Sequence, residues 1–410
     1  MTQASGRFIA ALIVLTTFIA GCASEGQRPA TDPAAVHDRA ITIDTHVDIP
    51  DTLGRGDADP GLLGPMQYDL HKMRSGNIDA AFFIVYVRQG ELTEEGYERA
   101  YRAALRKFNA IDLMTGRYSD RIALARSADD LEAHLAAGKL SAVIGVENGY
   151  PLGPELEHLD EFAARGASYI SITHDGNNQF GTSARPRPNE QGEDTGLTPL
   201  GRELVARVND LGIMLDVSHA SERSTIEAAT LSRAPVIASH SSAAAVFDHP
   251  RNLSDAEIRA IAANGGVIQV VAFDSYLRDV NEANDKATLA AMQAAGFSGR
   301  DWYGTATQTQ IAELRSNVNA LDSQWPRATV STLVDHVDYI AGLVGIDHVG
   351  ISSDFGGGGG ISGWDNASES IAVTKELLHR GYSGTDIDKI WGGNLLRVWR
   401  EVERMAAPGG

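Results

Sequence analysis

The chain has 410 residues, of which 43% are hydrophobic and 22% charged, and its formal net charge is −19. That length and apolar content exclude a small stapled module and a disordered chain, and allow one large α/β barrel or two to three ordinary domains. So acidic a body argues against nucleic-acid partners and repels anionic lipid headgroups.

The first element reads as an export signal. Arg7 precedes an apolar run from Phe8 to Ala20, shorter than the ~20 residues that span a bilayer. Ile19-Ala20-Gly21-Cys22 resembles the bacterial lipobox, in which cleavage precedes a lipidated cysteine. Cys22 is the only cysteine, which leaves no intramolecular disulfide and no thiolate cage for a metal. Residues 23–35, rich in Ala, Pro, Ser and Gly, have the composition of a flexible tether. The expected organisation is a signal peptide at 1–21, a lipidated tether at 22–40, a barrel domain at 41–405 and a tail at 406–410. Losing 1–21 removes Arg7 and no acid, so the charge moves from −19 to −20. Acyl chains, not a basic patch, would then hold the protein to a membrane. No acidic residue follows Cys22 until Glu25, which favours the periplasmic side of the outer membrane.

Beyond the tether, short apolar and β-branched runs recur at 41–48, 79–87, 141–147, 168–174, 212–219, 235–240, 266–273 and 348–355. Near-continuous runs such as Val267-Ile268-Gln269-Val270-Val271 suit parallel strands buried on both faces. Amphipathic stretches alternate with them at 97–113, 128–137, 155–164, 199–211, 222–230, 255–263 and 328–343. Eight strand–helix alternations predict a (β/α)8 barrel rather than an open sheet. A partly helical insert at about 277–327 separates strands seven and eight and suits a lid or a contact surface. The five glycines at 356–360 predict a mobile loop beside the barrel mouth, and helices at 369–380 and 393–405 close the domain.

In such barrels the chemistry gathers at the C-terminal ends of the strands. His46 and Asp48 end the first strand and share one side of it. Glu147 ends the third, His174 the fourth, His219 the fifth, His240 the sixth and Asp354 the eighth. A lone histidine is more often structural than functional, but here four histidines and three carboxylates converge on one rim. Asp44 and Asp216 read as supporting partners of neighbouring ligands. His348 opens strand eight and so falls at the opposite face. His37, His71, His134, His158, His249, His336 and His379 read as structural.

Asp44-Thr45-His46-Val47-Asp48, Ile144-Gly145-Val146-Glu147, Leu215-Asp216-Val217-Ser218-His219, the run from Pro235 through Ser239-His240 to Ser242, Arg251-Asn252, and the run from Asp347 to Asp354-Phe355 resemble, in order and spacing, the membrane (renal) dipeptidase family. The resemblance extends from Asp44 to the closing Gly393-Asn394-Leu395-Leu396-Arg397-Val398. It implies two Zn2+ per chain, with His46 and Asp48 on one ion, His219 and His240 on the other, and Glu147 bridging. It further implies His174 at the scissile carbonyl, Arg251 on the substrate carboxylate, Asp354 beside the bridging water and, less specifically, Tyr276 against the substrate. The family often has Asp-Phe-Asp-Gly where this chain has Asp354-Phe355-Gly356-Gly357, and small or His residues where it has Asn148-Gly149-Tyr150. These departures leave the ligands intact and put substrate preference in doubt.

The ligand set makes chemical sense by itself. Mixed imidazole and carboxylate donors without thiolate suit zinc, with manganese or cobalt able to use the same cage. Two ions ~3.5–4 Å apart activate a water near neutral pH. Arg251, able to grip a carboxylate with two parallel hydrogen bonds, would measure the substrate by its free C-terminus. The expected activity is hydrolysis of dipeptides, and the resemblance adds tolerance of a D-residue at the second position, carbapenem-like β-lactams as further substrates and a homodimer. Two rivals remain: a related barrel hydrolase acting on other amides or lactones, and a catalytically silent peptide-binding lipoprotein. The first often bridges its metals with a carbamylated lysine, and no lysine ends any of the eight strands; the second should have lost a ligand, and none is missing.

Overall fold

The computed structural model describes residues 1–2, 32–297 and 306–407, and Cys22 lies outside them. Among the described residues nine strands form one parallel sheet: β1 (Ile43–Asp48), β2 (Ala80–Tyr86), β3 (Ile122–Leu124), β4 (Leu140–Glu147), β5 (Ala167–Ser171), β6 (Met214–Asp216), β7 (Ile237–Ala238), β8 (Val267–Val271) and β9 (Val349–Ser352). Their order is β1-β2-β4-β5-β6-β7-β8-β9, with β3 paired only to β4. Val47 forms a parallel bridge to Phe355, and the Asp48 amide donates to the Phe355 carbonyl at 2.8 Å. The last strand thus returns to the first, and eight strands close into an α/β barrel of the TIM type. The expected eight runs are these eight strands; β3 is a short addition at the rim.

Along β2, Ala80, Phe82 and Ile84 pack into the barrel lumen with Val143, Tyr169, Met214, Ile237 and Val267. The alternate residues Ala81, Phe83 and Val85 pack outward against the helices. This period of two, with both sets apolar, is what a strand covered on both faces requires.

The helices are α1 (Pro33–Arg39), α2 (Leu70–Ser75), α3 (Glu94–Arg117), α4 (Ala128–Ala136), α5 (Leu159–Ala164), α6 (Pro199–Leu211), α7 (Glu222–Leu231), α8 (Asp255–Ala263), α9 (Asp274–Leu277), α10 (Glu282–Ala294), α11 (Gln308–Asn319), α12 (Val330–Val344), α13 (Ile371–His379), α14 (Gly384–Asp388) and α15 (Asn394–Met405). Most start at a Ser, Thr or Asp whose side chain accepts from the first-turn amides, as Ser254 does for α8. Leu395, Val398, Trp399 and Val402 of α15 join the luminal cluster, with Trp399 5.9 Å from Phe82.

Two expectations are corrected. The tether was expected to reach residue 40, yet Asp32 caps α1 and the buried His37 bonds Thr374 and the Gly76 carbonyl, so the folded body begins at least eight residues earlier. The glycine run is not a free loop. The Gly356 amide donates to Gln67 and the Gly360 amide to the Ala272 carbonyl. A Cβ at Gly357 would come within 2.3 Å of the carboxylate oxygens of both Asp48 and Asp354. Side chains are excluded there because the backbone lies directly on two acidic residues of the site.

The insert carries α10 and α11, which share a small apolar cluster of their own around Leu314 and Phe297. Arg315 donates to the Pro65 carbonyl, and the Thr309 amide and hydroxyl to Asp57. These bonds dock the insert on the loop that follows β1.

Candidate metal centre

Glu147, the last residue of β4, points into the lumen because Val143 does and the alternation carries through Gly145. Gly145 itself leaves room for a ring: a Cβ there would lie 2.3 Å from Tyr169. His46 and Asp48 share a side of β1 across a register shift between Asp44 and Val47. His174, His219, His240 and Asp354 lie two to three residues past the ends of β5, β6, β7 and β9. There the chain is free to turn, and His219 and Asp354 take left-handed conformations, with φ of 67° and 56°. Such conformations cost on the order of 1–3 kcal/mol and gather where a site needs them.

The seven residues meet. Glu147 is 3% exposed and presents its oxygens to different partners. Oε1 lies 3.1 Å from His219 Nε2 and 3.4 Å from His240 Nε2. Oε2 lies 3.7 Å from His46 Nε2, which is 3.5 Å from Asp48 Oδ2. Asp354 joins His46 and Asp48 in one group of donor atoms, and His174 joins Glu147 and His219 in another.

The far side of each imidazole fixes its tautomer. Asp175 faces His219 Nδ1 at 3.3 Å, so that nitrogen carries the proton. The Ser239 hydroxyl donates to Asp216 at 2.6 Å, so at 2.8 Å it accepts from His240 Nδ1. The Tyr169 hydroxyl donates to the Thr45 carbonyl and accepts from His46 Nδ1 at 3.0 Å. The Nε2 atoms of these three rings therefore face inward, and those of His219 and His240, each with a bare lone pair in the neutral tautomer, are 2.9 Å apart. Two lone pairs at that separation repel unless a cation sits between them. Donors on a tetrahedral zinc, bonded at ~2.0–2.1 Å, stand roughly 3.3 Å from one another, which is the spacing seen on both sides of Glu147. The residues fit a pair of metal ions.

Against burial, the charges of Glu147 and Asp48 raise the His46 imidazole well above its ordinary value, so without a cation that ring takes up a proton in its place. Burial alone would raise the Glu147 carboxyl, but His46, His174, His219 and His240 hold it well below the usual range. Burial pushes the Asp354 carboxyl well up; Asp48 and Glu147 add to this while His46 opposes it. Burial and the nearby His219 lower His174 to about 3, so it is a neutral imidazole.

Arg251 is 2% exposed. Its Nη2 donates to the His240 carbonyl at 3.2 Å, and its guanidinium lies 5.4 Å from the centre of the Tyr276 ring. Its Nε has no hydrogen-bond partner, and among the described residues no carboxylate pairs with it. A buried cation left in this state is waiting for an anion.

Asp44 meets no metal ligand side chain; it accepts from the Ser353 and His46 amides, tying β1 to the turn that carries Asp354. Asp216 supports His240 through Ser239, as described. His348 bonds the Gly266 carbonyl at the far face. His249, read as structural, stands instead at the site wall, accepting from the Arg251 amide and packing 4.6 Å from Tyr276. The reading of the sequence missed Tyr169, Asp175 and the buried Lys107, whose Nζ donates to the Ile49 carbonyl just past Asp48.

Comparison with known proteins agrees with this geometry. The model of the membrane dipeptidase family (Peptidase family M19) matches residues 31–409. The chain belongs to the membrane dipeptidase family. Dipeptidase tcpJ of Claviceps purpurea is 31% identical over 344 residues, covering 83% of this chain and 70% of the relative. The crystal structure of the probable dipeptidase PvdM from Pseudomonas aeruginosa superposes with a TM-score of 0.79 at 35% identity, over 91% of this chain and 98% of that one. A metallopeptidase from Rhodobacter sphaeroides, solved with a phosphinate mimic of the dipeptide L-Ala-D-Ala, shares the fold at a TM-score of 0.69 and 23% identity, over 88% and 99% of the two chains. This membrane dipeptidase family member is therefore a metallopeptidase-type hydrolase on a TIM barrel.

One prediction belongs to the metal cage of this family member. Tyr169→Phe keeps the ring that stacks on Phe82 at 5.3 Å but leaves His46 Nδ1–H without its acceptor. Metal affinity at the His46–Asp48 position is expected to fall roughly 10- to 100-fold, with the His219–His240 position unchanged. Chelator competition followed by metal analysis reads both; equal affinity to wild type would remove Tyr169 from the cage.

Proposed function

We propose that the protein is a binuclear zinc dipeptidase that cleaves dipeptides with a free C-terminal carboxylate and tolerates a D-residue at that end. The observation that carries this reading is the split of Glu147 between two imidazole groups whose Nε2 lone pairs converge. His46 and Asp48 would hold one ion, His219 and His240 the other, and Glu147 both. When bound, such a pair supplies an activated water and polarises the scissile carbonyl.

The remaining steps fall to the chain's own side chains. Arg251 receives the substrate carboxylate in its fork, which supplies the anion its burial demands. Tyr276, its ring centre 5.4 Å from the guanidinium, packs against that fork. His174 stands at the mouth side of Glu147, packed 4.7 Å from Tyr86, and donates a hydrogen bond to the carbonyl oxygen as charge develops there. Asp354, whose burial raises its affinity for a proton, starts as the carboxylate, takes the proton of the attacking water and delivers it to the leaving amine. The D-residue tolerance and a homodimer rest on the family resemblance alone.

The test is metal analysis of the purified protein combined with turnover of L-Ala-L-Ala, L-Ala-D-Ala and their C-terminal amides. Two zinc ions per chain, cleavage of the free dipeptides and poor cleavage of the amides are expected. Hydrolysis of amides or lactones in preference to dipeptides would instead support the related amidohydrolase reading.

We further propose that Cys22 carries the lipid that anchors the protein on the periplasmic face of the outer membrane. Among the described residues no helix is long and apolar enough to cross a membrane. Cys22→Ser is expected to move the protein from the membrane fraction to the soluble fraction at unchanged dipeptidase activity. Mass spectrometry of a mature wild-type N-terminus without acyl chains would end this proposal.

A further inference from the structure

A cavity of about 430 Å3 opens beside the metal centre, and both His219 and Arg251 form part of its wall. That volume is ordinary for a small-molecule site. Its wall carries six carboxylate side chains against a single cation, Arg251. Some of these acids are already satisfied. Glu190 pairs with Arg187, Asp194 bonds Ser221 and the Arg223 amide, and the buried Glu257 caps α8. Glu193, Glu222 and Asp248 remain, exposed at the rim and without a hydrogen bond or ion pair among the described residues. The nearby cations do not cancel them, because Arg185 pairs with Asp175 and Arg223 with Glu227.

The second observation is Arg251. It is 2% exposed, forms part of this wall, and its Nε has no partner. A ligand that places a carboxylate on Arg251 and a scissile carbonyl by Glu147 and His219 has the α-carbon of its C-terminal residue between them. That residue's side chain then opens into the space which His219 and Arg251 both border. The ligand must present one anion to Arg251 and meets an excess of negative charge just beyond it.

We propose that the enzyme prefers dipeptides whose C-terminal residue bears a cationic side chain, recognised by Glu193, Glu222 and Asp248 at the rim of this cavity. The inference rests on the dipeptidase reading above and adds the substrate's charge. Each exposed carboxylate contributes only a small factor, about two- to fivefold at most, but a cleft of one sign focuses the field and the three act together. A preference of roughly tenfold at low ionic strength follows.

The experiment compares kcat/KM for Ala-Lys and Ala-norleucine, which differ in the terminal ammonium, using the configuration at the second residue that the enzyme turns over faster. Wild type is expected to favour Ala-Lys about tenfold at low salt, with the ratio shrinking toward one in 0.5 M NaCl as the charges are screened. The triple variant Glu193→Gln, Glu222→Gln, Asp248→Asn should bring the ratio near one while leaving Ala-norleucine turnover unchanged. These side chains are at the surface, so the fold should survive; unchanged zinc content and Tm verify it. A wild-type ratio at or below one, or a tenfold ratio that persists in the triple variant, overturns the charge preference and leaves the dipeptidase reading standing. Failure to cleave any dipeptide in either configuration overturns both.

Discussion

Glu147→Gln is expected to lose at least one of the two metals proposed above and to lower dipeptidase turnover by about 10³-fold or more, on the order of 4 kcal/mol of barrier. The substitution is nearly isosteric, so the effect isolates charge and donor capacity. In the wild-type chain Oε1 serves His219 and His240 while Oε2 serves His46. An amide has one acceptor oxygen, and its NH2 group presents two protons where a cation needs a donor lone pair. It also removes a full negative charge from the middle of the cluster, where four imidazoles hold Glu147 ionised. The fold should persist, because exchanging a buried carboxylate for an amide lowers the cost of burial. Metal analysis and turnover of a free dipeptide read the result together. Two tightly held ions and wild-type turnover in this variant would remove the bridge from the proposal.

The site was legible in the sequence to the extent that its residues fall at strand ends. Each apolar run is short and followed by a polar residue, so Val146-Glu147 or Ser239-His240 announces both the strand and its C-terminal tip. The groups that set the tautomers were less visible for a physical reason. Tyr169 lies inside β5, in a buried run where an aromatic residue ordinarily means packing. Only the clash distance to Gly145 and the closed barrel show that its hydroxyl crosses the lumen to His46. Asp175 directly follows His174 in sequence yet supports His219, a partner set by the turn and not by spacing. The glycine run after Phe355 suggested freedom, because glycine is the residue that permits it. Here glycine instead permits contact, since the backbone rests on Asp48 and Asp354 where no side chain fits. Asn148 has a similar explanation. Its φ is 78°, and its side chain bonds the Val87 carbonyl, the Tyr150 amide and Asn178, holding the chain just after Glu147.

Arg251 is expected to behave as a residue retained for substrate at the expense of the fold. A buried guanidinium without a carboxylate partner carries a desolvation cost of several kcal/mol that one bond to the His240 carbonyl and the Tyr276 ring only partly offset. Arg251→Met keeps much of the volume and removes the charge, so its Tm should equal or exceed that of wild type. Its kcat/KM for a free dipeptide should fall by about 10²-fold or more, since roughly 3 kcal/mol of charge-assisted hydrogen bonding to the carboxylate is lost. Arg251→Lys should recover only a small part of this, because a point charge on a flexible stem does not replace a planar fork. The decisive reading is the ratio between free and C-terminally amidated dipeptides. Wild type should favour the free form strongly, and both variants should narrow that preference, chiefly by losing the free substrate. A ratio unchanged in Arg251→Met would mean that the carboxylate binds elsewhere. A large fall in Tm with the ratio preserved would mean that Arg251 serves the fold, and that its open Nε answers to no ligand.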